Sequence, residues 1–191
     1  MSLCIGNKKR KGKQMETIHK GRKITPLPER KSMGSNVGAT YKSSMTYEVY
    51  TDCSVINSGQ TRKSEAGIAF YILDGAGKKV AQRLSKIEGE ITVARGELIA
   101  ILEALKFIEK SETINKVKFF SDSKTVVEGI LGITRRNSNL DIWEEIIGVI
   151  ARNKGLIEDF VYVARENNEE ADSLSKIASR GLIIPSSYQI G

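Results

Sequence analysis

Residues 46–54 read Thr-Tyr-Glu-Val-Tyr-Thr-Asp-Cys-Ser. Val49 and Thr51 are β-branched and Tyr47 and Tyr50 aromatic, which is the composition of a strand. Asp52 stands inside that strand, where a carboxylate has no helix end to cap. A charge at such a position is costly unless it is paired or metal-bound. Its partner has to come from elsewhere in the chain.

Downstream, Ile56–Lys63 reads as a turn, Ala66–Leu73 as a second strand, Asp74–Gly77 as a hairpin turn and Lys79–Glu88 as a third strand. Thr92–Glu112 carries Leu98, Ile101, Leu102, Leu105 and Ile108 at helical spacing. Val117–Ser121 is a short apolar strand that ends at Asp122. Ser123–Leu131 and Leu140–Asn153 read as helices, with Gly132–Asn139 between them. Leu156–Val163 reads as a fifth strand. Asn167–Arg180 is the last helix, with Asn167 as N-cap and Glu170 three residues on in the manner of a capping box. The order β-β-β-α-β-α-α-β-α predicts an α/β domain, a mixed five-stranded sheet flanked by helices.

Composition limits what this domain can be. The chain has 191 residues, enough for one domain with a proper core. No apolar run approaches the ~20 residues of a membrane span, and no N-terminal signal-type stretch is present. A cytoplasmic protein is expected, or a nuclear one in a eukaryote. Cys4 and Cys53 lack both disulfide and zinc-ligand patterning. The net charge of +7 is unevenly placed: residues 1–46 carry eleven Lys or Arg against Glu16 and Glu29, while the rest carries 19 basic and 21 acidic residues. Residues 1–45, with Pro26, Pro28 and no apolar periodicity, read as a disordered extension, and 181–191 as an irregular tail. The run Lys8, Lys9, Arg10, Lys11, Gly12, Lys13 suits a nucleic-acid arm or an import signal, or else only solubilises. The one histidine, His19, lies in this extension and is not expected to serve catalysis.

Three further carboxylates share the problem of Asp52. Asp122 ends the fourth strand, at the carboxyl edge where open α/β sheets place ligands. Glu97 and Asp172 are expected in the first turns of their helices. Singly, Asp122 could cap a helix, Glu97 be a solvated first-turn acid and Asp172 a dipole partner. Together at one sheet end they would repel unless cations lay among them. Hard oxygen ligands select Mg²⁺ or Mn²⁺. Two such ions roughly 3.5–4 Å apart are the known device for in-line phosphodiester displacement.

The strings TD-S around Asp52, T--R-E from Thr92 to Glu97, SDS around Asp122 and N-EAD-L from Asn168 to Leu174 resemble type 1 ribonuclease H over Thr46 to about Arg180. The resemblance is to the variant without an active-site histidine, seen in plant retroelement-like and archaeal or bacterial members. It implies a ribonuclease H-like fold, and it puts Asp52, Glu97, Asp122 and Asp172 on that family's four catalytic metal ligands. Two Mg²⁺ or Mn²⁺ ions are implied as cofactors and the RNA–DNA hybrid as nucleic-acid partner. The implied reaction cuts the RNA strand to 3′-hydroxyl and 5′-phosphate ends, with 2′-hydroxyls read across the minor groove. Thr92 and Asn139 fall on positions that hold a phosphate of the DNA strand.

The chain departs from that pattern at Val93 and Ala94, where the family often has two asparagines. It departs again in the loop Ala164–Asn167, which holds no histidine, and in Gly132–Asn139, which offers only Arg135 and Arg136 as basic residues. The basic extension could supply the affinity that these changes remove. Competing readings are a non-catalytic nucleic-acid-binding module on the same fold, an integrase-, resolvase- or exonuclease-like relative, and a nuclease that also cuts duplex RNA. An auxiliary domain of a reverse transcriptase is a further one; starting with Met and lacking a polymerase segment, the chain is expected to stand alone, as a monomer.

Overall fold

The computed structural model describes residues 45–57, 64–89 and 91–182. Lys8, Lys9, Arg10, Lys11 and His19 lie outside the described residues, as do nearly all of the extension and residues 183–191. The elements run β1 (Tyr47–Asn57), β2 (Ser64–Leu73), β3 (Lys79–Gly89), α1 (Val93–Glu109), β4 (Val117–Ser121), α2 (Lys124–Ile130), α3 (Leu140–Arg152), β5 (Ile157–Tyr162) and α4 (Glu169–Ser179). The five strands form one mixed sheet in the order β3-β2-β1-β4-β5. β1, β2 and β3 pair antiparallel, whereas β4 pairs parallel with β1 and with β5. The α/β reading of the sequence holds.

Alternation along the strands builds two layers. Val49, Phe70, Ile72 and Phe119 meet Leu98, Ile101, Leu105, Trp143 and Ile146 in the main core, beneath α1 and α3. On the other face Ala69 and Tyr71 meet Ala171 and Leu174 of α4, with Tyr50 packed against them. Tyr50 stacks between Tyr71 and Phe120, centroids 4.9 and 4.7 Å away. α4 comes unusually close to β2. A Cβ on Gly67 would overlap the backbone nitrogen of Ser179 and the carbonyl oxygen of Ser175. Glycine on the strand and small residues on the helix make that approach possible.

Several expected boundaries are corrected. β1 continues to Asn57, so Ile56 belongs to a strand and not to a turn, because the ladder with β2 runs on through Ile56–Glu65 and Asn57–Ser64. A 3-10 turn occupies Arg165–Asn167, and α4 begins at Glu169 with Asn168, not Asn167, in the cap position. The capping box is not formed: the Asn168 side chain makes no cap bond, being turned into the interior. Glu97 lies in the second turn of α1, which has no acid in its first.

Candidate metal centre

The parallel register of β1 and β4 brings two acids together. Thr51 pairs with Ser121, so Asp52 on β1 and Asp122 just past the end of β4 follow one step later side by side. Burial of Thr51 and Ser121 fixes that register, since a one-residue slip would exchange the two faces. α1 supplies the third acid. Thr92 caps this helix, its Oγ1 accepting from the Arg95 backbone N–H at 3.2 Å, and Glu97 follows on the buried side. Gly96 just before it lies so close to Cys53 that a Cβ would collide with the sulfur. This contact lets α1 press against β1. One carboxylate oxygen from each of Asp52, Glu97 and Asp122 lies within 4.8 Å of the others.

Asp52 and Glu97 are only 4 % and 6 % exposed. Burial, opposed by a hydrogen bond from Ser175 and reinforced by the charges of Asp122 and Asp172, raises the Asp52 carboxyl from its usual 3.8 to about 6. Glu97 is pushed well above the ordinary glutamate range, again by burial first and then by Asp52 and Asp122. It accepts from the Cys53 backbone N–H, yet its Oε2 is buried with no partner. Neither bland reading of these acids survives: Glu97 is not solvated, and Ser123 rather than Asp122 takes the cap position of α2. Burial, with help from Glu97 and Asp52, holds the Cys53 thiol up at about 12, which makes it a packing group and not a nucleophile.

Asp172 stands apart from the three. Its Oδ1 accepts from Arg165 at 2.8 Å and its Oδ2 from Lys176 at 2.5 Å. Burial pushes its carboxyl up, but these two bonds outweigh burial and leave it below the usual aspartate value. Its charge still reaches Asp52. Arg165 is 71 % exposed on its side chain, and its charge also acts on Asp52 and Glu97.

A cleft of about 490 Å³ opens beside the acids, lined among others by Val93, Glu97, Asp122, Arg135, Asn139 and Arg165. Asn139 takes a left-handed backbone (φ 54°) ahead of α3, and its Oδ1 accepts from Arg95 at 3.1 Å. The same guanidinium grips Asp141 through two nitrogens, at 3.1 and 2.7 Å. Arg95 therefore ties the start of α1 to the start of α3, leaving the Asn139 amide nitrogen unbound among the described residues. Arg136 is turned inward, bonded to the Gly129 carbonyl at 2.8 Å and set over the Trp143 ring. Both loop arginines line the cleft, and Arg135 is the more exposed of the two. The sequence reading did not anticipate Arg95 or Ser175 in the site. A serine inside a helix three residues after Asp172 was the one available signal for the latter.

The donor set fits a divalent cation. Three carboxylates converge, two of them are buried, and one of these has an oxygen with no hydrogen-bond partner. Without a cation these charges only repel.

A family described as reverse transcriptase-like matches residues 55–178, a span that includes Glu97, Asp122 and Asp172 and begins three residues after Asp52. No curated protein matches the chain. Among solved structures, RNase H1 from the halophilic archaeon Halobacterium salinarum is 21 % identical at a TM-score of 0.60, covering 71 % of this chain and 98 % of that one. The N-terminal RNase H domain of rv2228c from Mycobacterium tuberculosis is 20 % identical at a TM-score of 0.61, over 73 % of this chain and 96 % of the other. LC11-RNase H1, isolated from compost by a metagenomic approach and solved in complex with RNA/DNA hybrid, is 22 % identical at 0.61, over 71 % and 97 %.

Proposed function

The chain belongs to the reverse transcriptase-like family on a ribonuclease H-like fold, and from that premise we propose that it hydrolyses the RNA strand of RNA–DNA hybrids as a metal-dependent endonuclease. The observation that carries the reading is the convergence of Asp52, Glu97 and Asp122 with a buried, unpartnered Glu97 oxygen. Asp52, Glu97 and Asp122 would hold Mg²⁺ or Mn²⁺, with Asp172 as the fourth ligand once it leaves Arg165 and Lys176. Bound there, a pair of divalent ions supplies an activated water and neutralises the leaving oxygen, giving 3′-hydroxyl and 5′-phosphate ends.

The chain's own residues do the rest. Asp52 on β1 and Asp122 just after β4 stand side by side at the sheet end, which brings their carboxylates together before substrate arrives. Arg165, exposed and directed at Asp172, is placed to meet a phosphate entering the cleft. Thr92 and Asn139 flank the start of α1 and α3, and the free Asn139 amide supplies a donor for a backbone phosphate of the DNA strand. Lys8, Lys9, Arg10 and Lys11 add sequence-independent attraction. Among the described residues no helix is long and apolar enough to cross a membrane.

End-labelled hybrid, duplex RNA and duplex DNA, each incubated with the full chain in Mg²⁺, in Mn²⁺ and in chelator, test the proposal. The RNA strand of the hybrid is cut in metal and spared in chelator. Hybrid left intact in both metals, or DNA cut as readily as RNA, contradicts it. Cleavage of duplex RNA as well would widen the substrate range without removing the chemistry.

A further inference from the structure

Asn168 has no exposed surface, and its amide nitrogen donates twice: to the Thr51 carbonyl oxygen at 3.0 Å and to Asp122 Oδ1 at 3.2 Å. We propose that Asn168 is a positioning residue that sets the Asp122 carboxylate against Asp52 for metal binding. The inference rests on the reading of these acids as metal ligands.

Both partners are acceptors, so the orientation of the amide is decided by chemistry. Turned over, its oxygen would face a carbonyl and a carboxylate and both bonds would be lost. In the orientation that works, Oδ1 is buried and finds no donor among the described residues. The amide leaves one of its own atoms unpaired while serving two acceptors on other elements, so its bonding is spent on Thr51 and Asp122 and not on its own satisfaction. The donor half is what the position retains.

That donor half joins three elements. The Thr51 carbonyl belongs to the peptide leading into Asp52 on β1, Asp122 follows β4, and Asn168 itself opens α4, four residues before Asp172. β1 and β4 stop pairing at Thr51 and Ser121, so no ladder bond holds the two acids to one another beyond that point. The Asn168 amide bridges this gap from above. Ser175, two turns further along the same face of α4, does the equivalent for Asp52. Groups that orient metal ligands in this way are worth about 10- to 100-fold in metal affinity or activity.

The test uses the full chain with Asn168→Leu, which keeps volume and removes both donors, and Asn168→Ala, which removes volume as well. Ser179→Ala is the control, equally buried on α4 but bonded only to the Lys176 carbonyl of its own helix. Three quantities are read: Mn²⁺ affinity by calorimetry without nucleic acid, kcat and KM on hybrid, and Tm. Both Asn168 variants lose about 10-fold or more in Mn²⁺ affinity. Their kcat at fixed metal falls while KM for hybrid holds, and Ser179→Ala shifts Tm alone. Folded Asn168→Leu with wild-type Mn²⁺ affinity and kcat overturns the inference, whatever its Tm. A wild-type chain that binds Mn²⁺ yet leaves hybrid intact overturns the nuclease reading alone, and Asn168 is then judged on affinity.

Discussion

A single buried carboxylate sets the electrostatics of the site, and its cost is measurable. Asp52 titrates at about 6 in the fold against 3.8 in an ordinary setting. Between these values the folded chain holds a proton that the unfolded chain has lost. Metal-free stability contributed by this group therefore increases as pH falls from 7 through 6 towards 3.8, and levels off below. The span corresponds to on the order of 3 kcal/mol. Other acids are held below their usual values, among them Asp141 by Arg95 and Glu109 by Arg152. They lose stability on acidification, so the comparison has to be with Asp52→Asn. In chelator, the Tm difference between Asp52→Asn and wild type should be largest at pH 7 and shrink towards pH 4.5; a constant difference would contradict the burial argument. Glu166 gives the opposite case. It is exposed in the 3-10 turn and makes no side-chain bond among the described residues, so no role in proton transfer is expected of it. Glu166→Ala should change kcat only a few-fold, and a loss as large as that of Asp172→Asn would show otherwise. The acids were legible because a carboxylate in a strand has so few harmless explanations. Asn168, Ser175 and the Arg95–Asn139–Asp141 group were not, since their pairings span 44 to 123 residues of chain and depend on helix rotation rather than on local pattern.

At the scale of elements, every expected helix and strand is present, and the differences lie at particular ends. α1 carries a continuous apolar face from Leu98 to Ile108, and β4 is flanked by polar residues, so both stand close to where periodicity puts them. The turn expected over Ile56–Lys63 starts too early, because Asn57 and the polar residues after it have turn chemistry, and only the β2 ladder shows that pairing continues. The start of α4 was misjudged because Asn167 and Asn168 offer equal capping chemistry. Tertiary contact with Thr51 and Asp122 decides which of them turns inward. The contact between α4 and β2 yields a prediction of its own. Gly67→Ala would drive a methyl into backbone atoms of Ser175 and Ser179, which cannot yield as a side chain tip would. Overpacking of this kind costs about 1–3 kcal/mol or more. Because α4 carries Asp172 and Asn168, Gly67→Ala should lower both Tm and metal affinity; wild-type values of both would mean that the helix is free to move away.

For the whole molecule, the excess of positive charge lies in the first 46 residues and not in the domain with the four acids. A domain with 19 basic and 21 acidic residues has little pull on a polyanion, whereas the first 46 residues carry eleven basic and two acidic ones. Each phosphate neutralised contributes a slope of about −0.9 in log affinity against log salt on B-form duplex. Deleting residues 1–45 should therefore raise KM for hybrid and flatten the salt dependence, with kcat at saturation nearly unchanged, as every proposed metal ligand lies beyond the cut. Equal slopes for the two chains would return the extension to a solubilising role. The central claim, that the three converging carboxylates form the metal centre of a nuclease, rests most directly on Asp122→Asn. Removing one negative charge from a crowded site relieves repulsion, so the metal-free variant should keep its fold with an equal or higher Tm. Mn²⁺ binding by calorimetry and cleavage of the RNA strand of a labelled hybrid are then measured on the same preparation. The predicted result is wild-type binding and cleavage, both lost in the folded variant; a folded Asp122→Asn that cuts hybrid at the wild-type rate would contradict it.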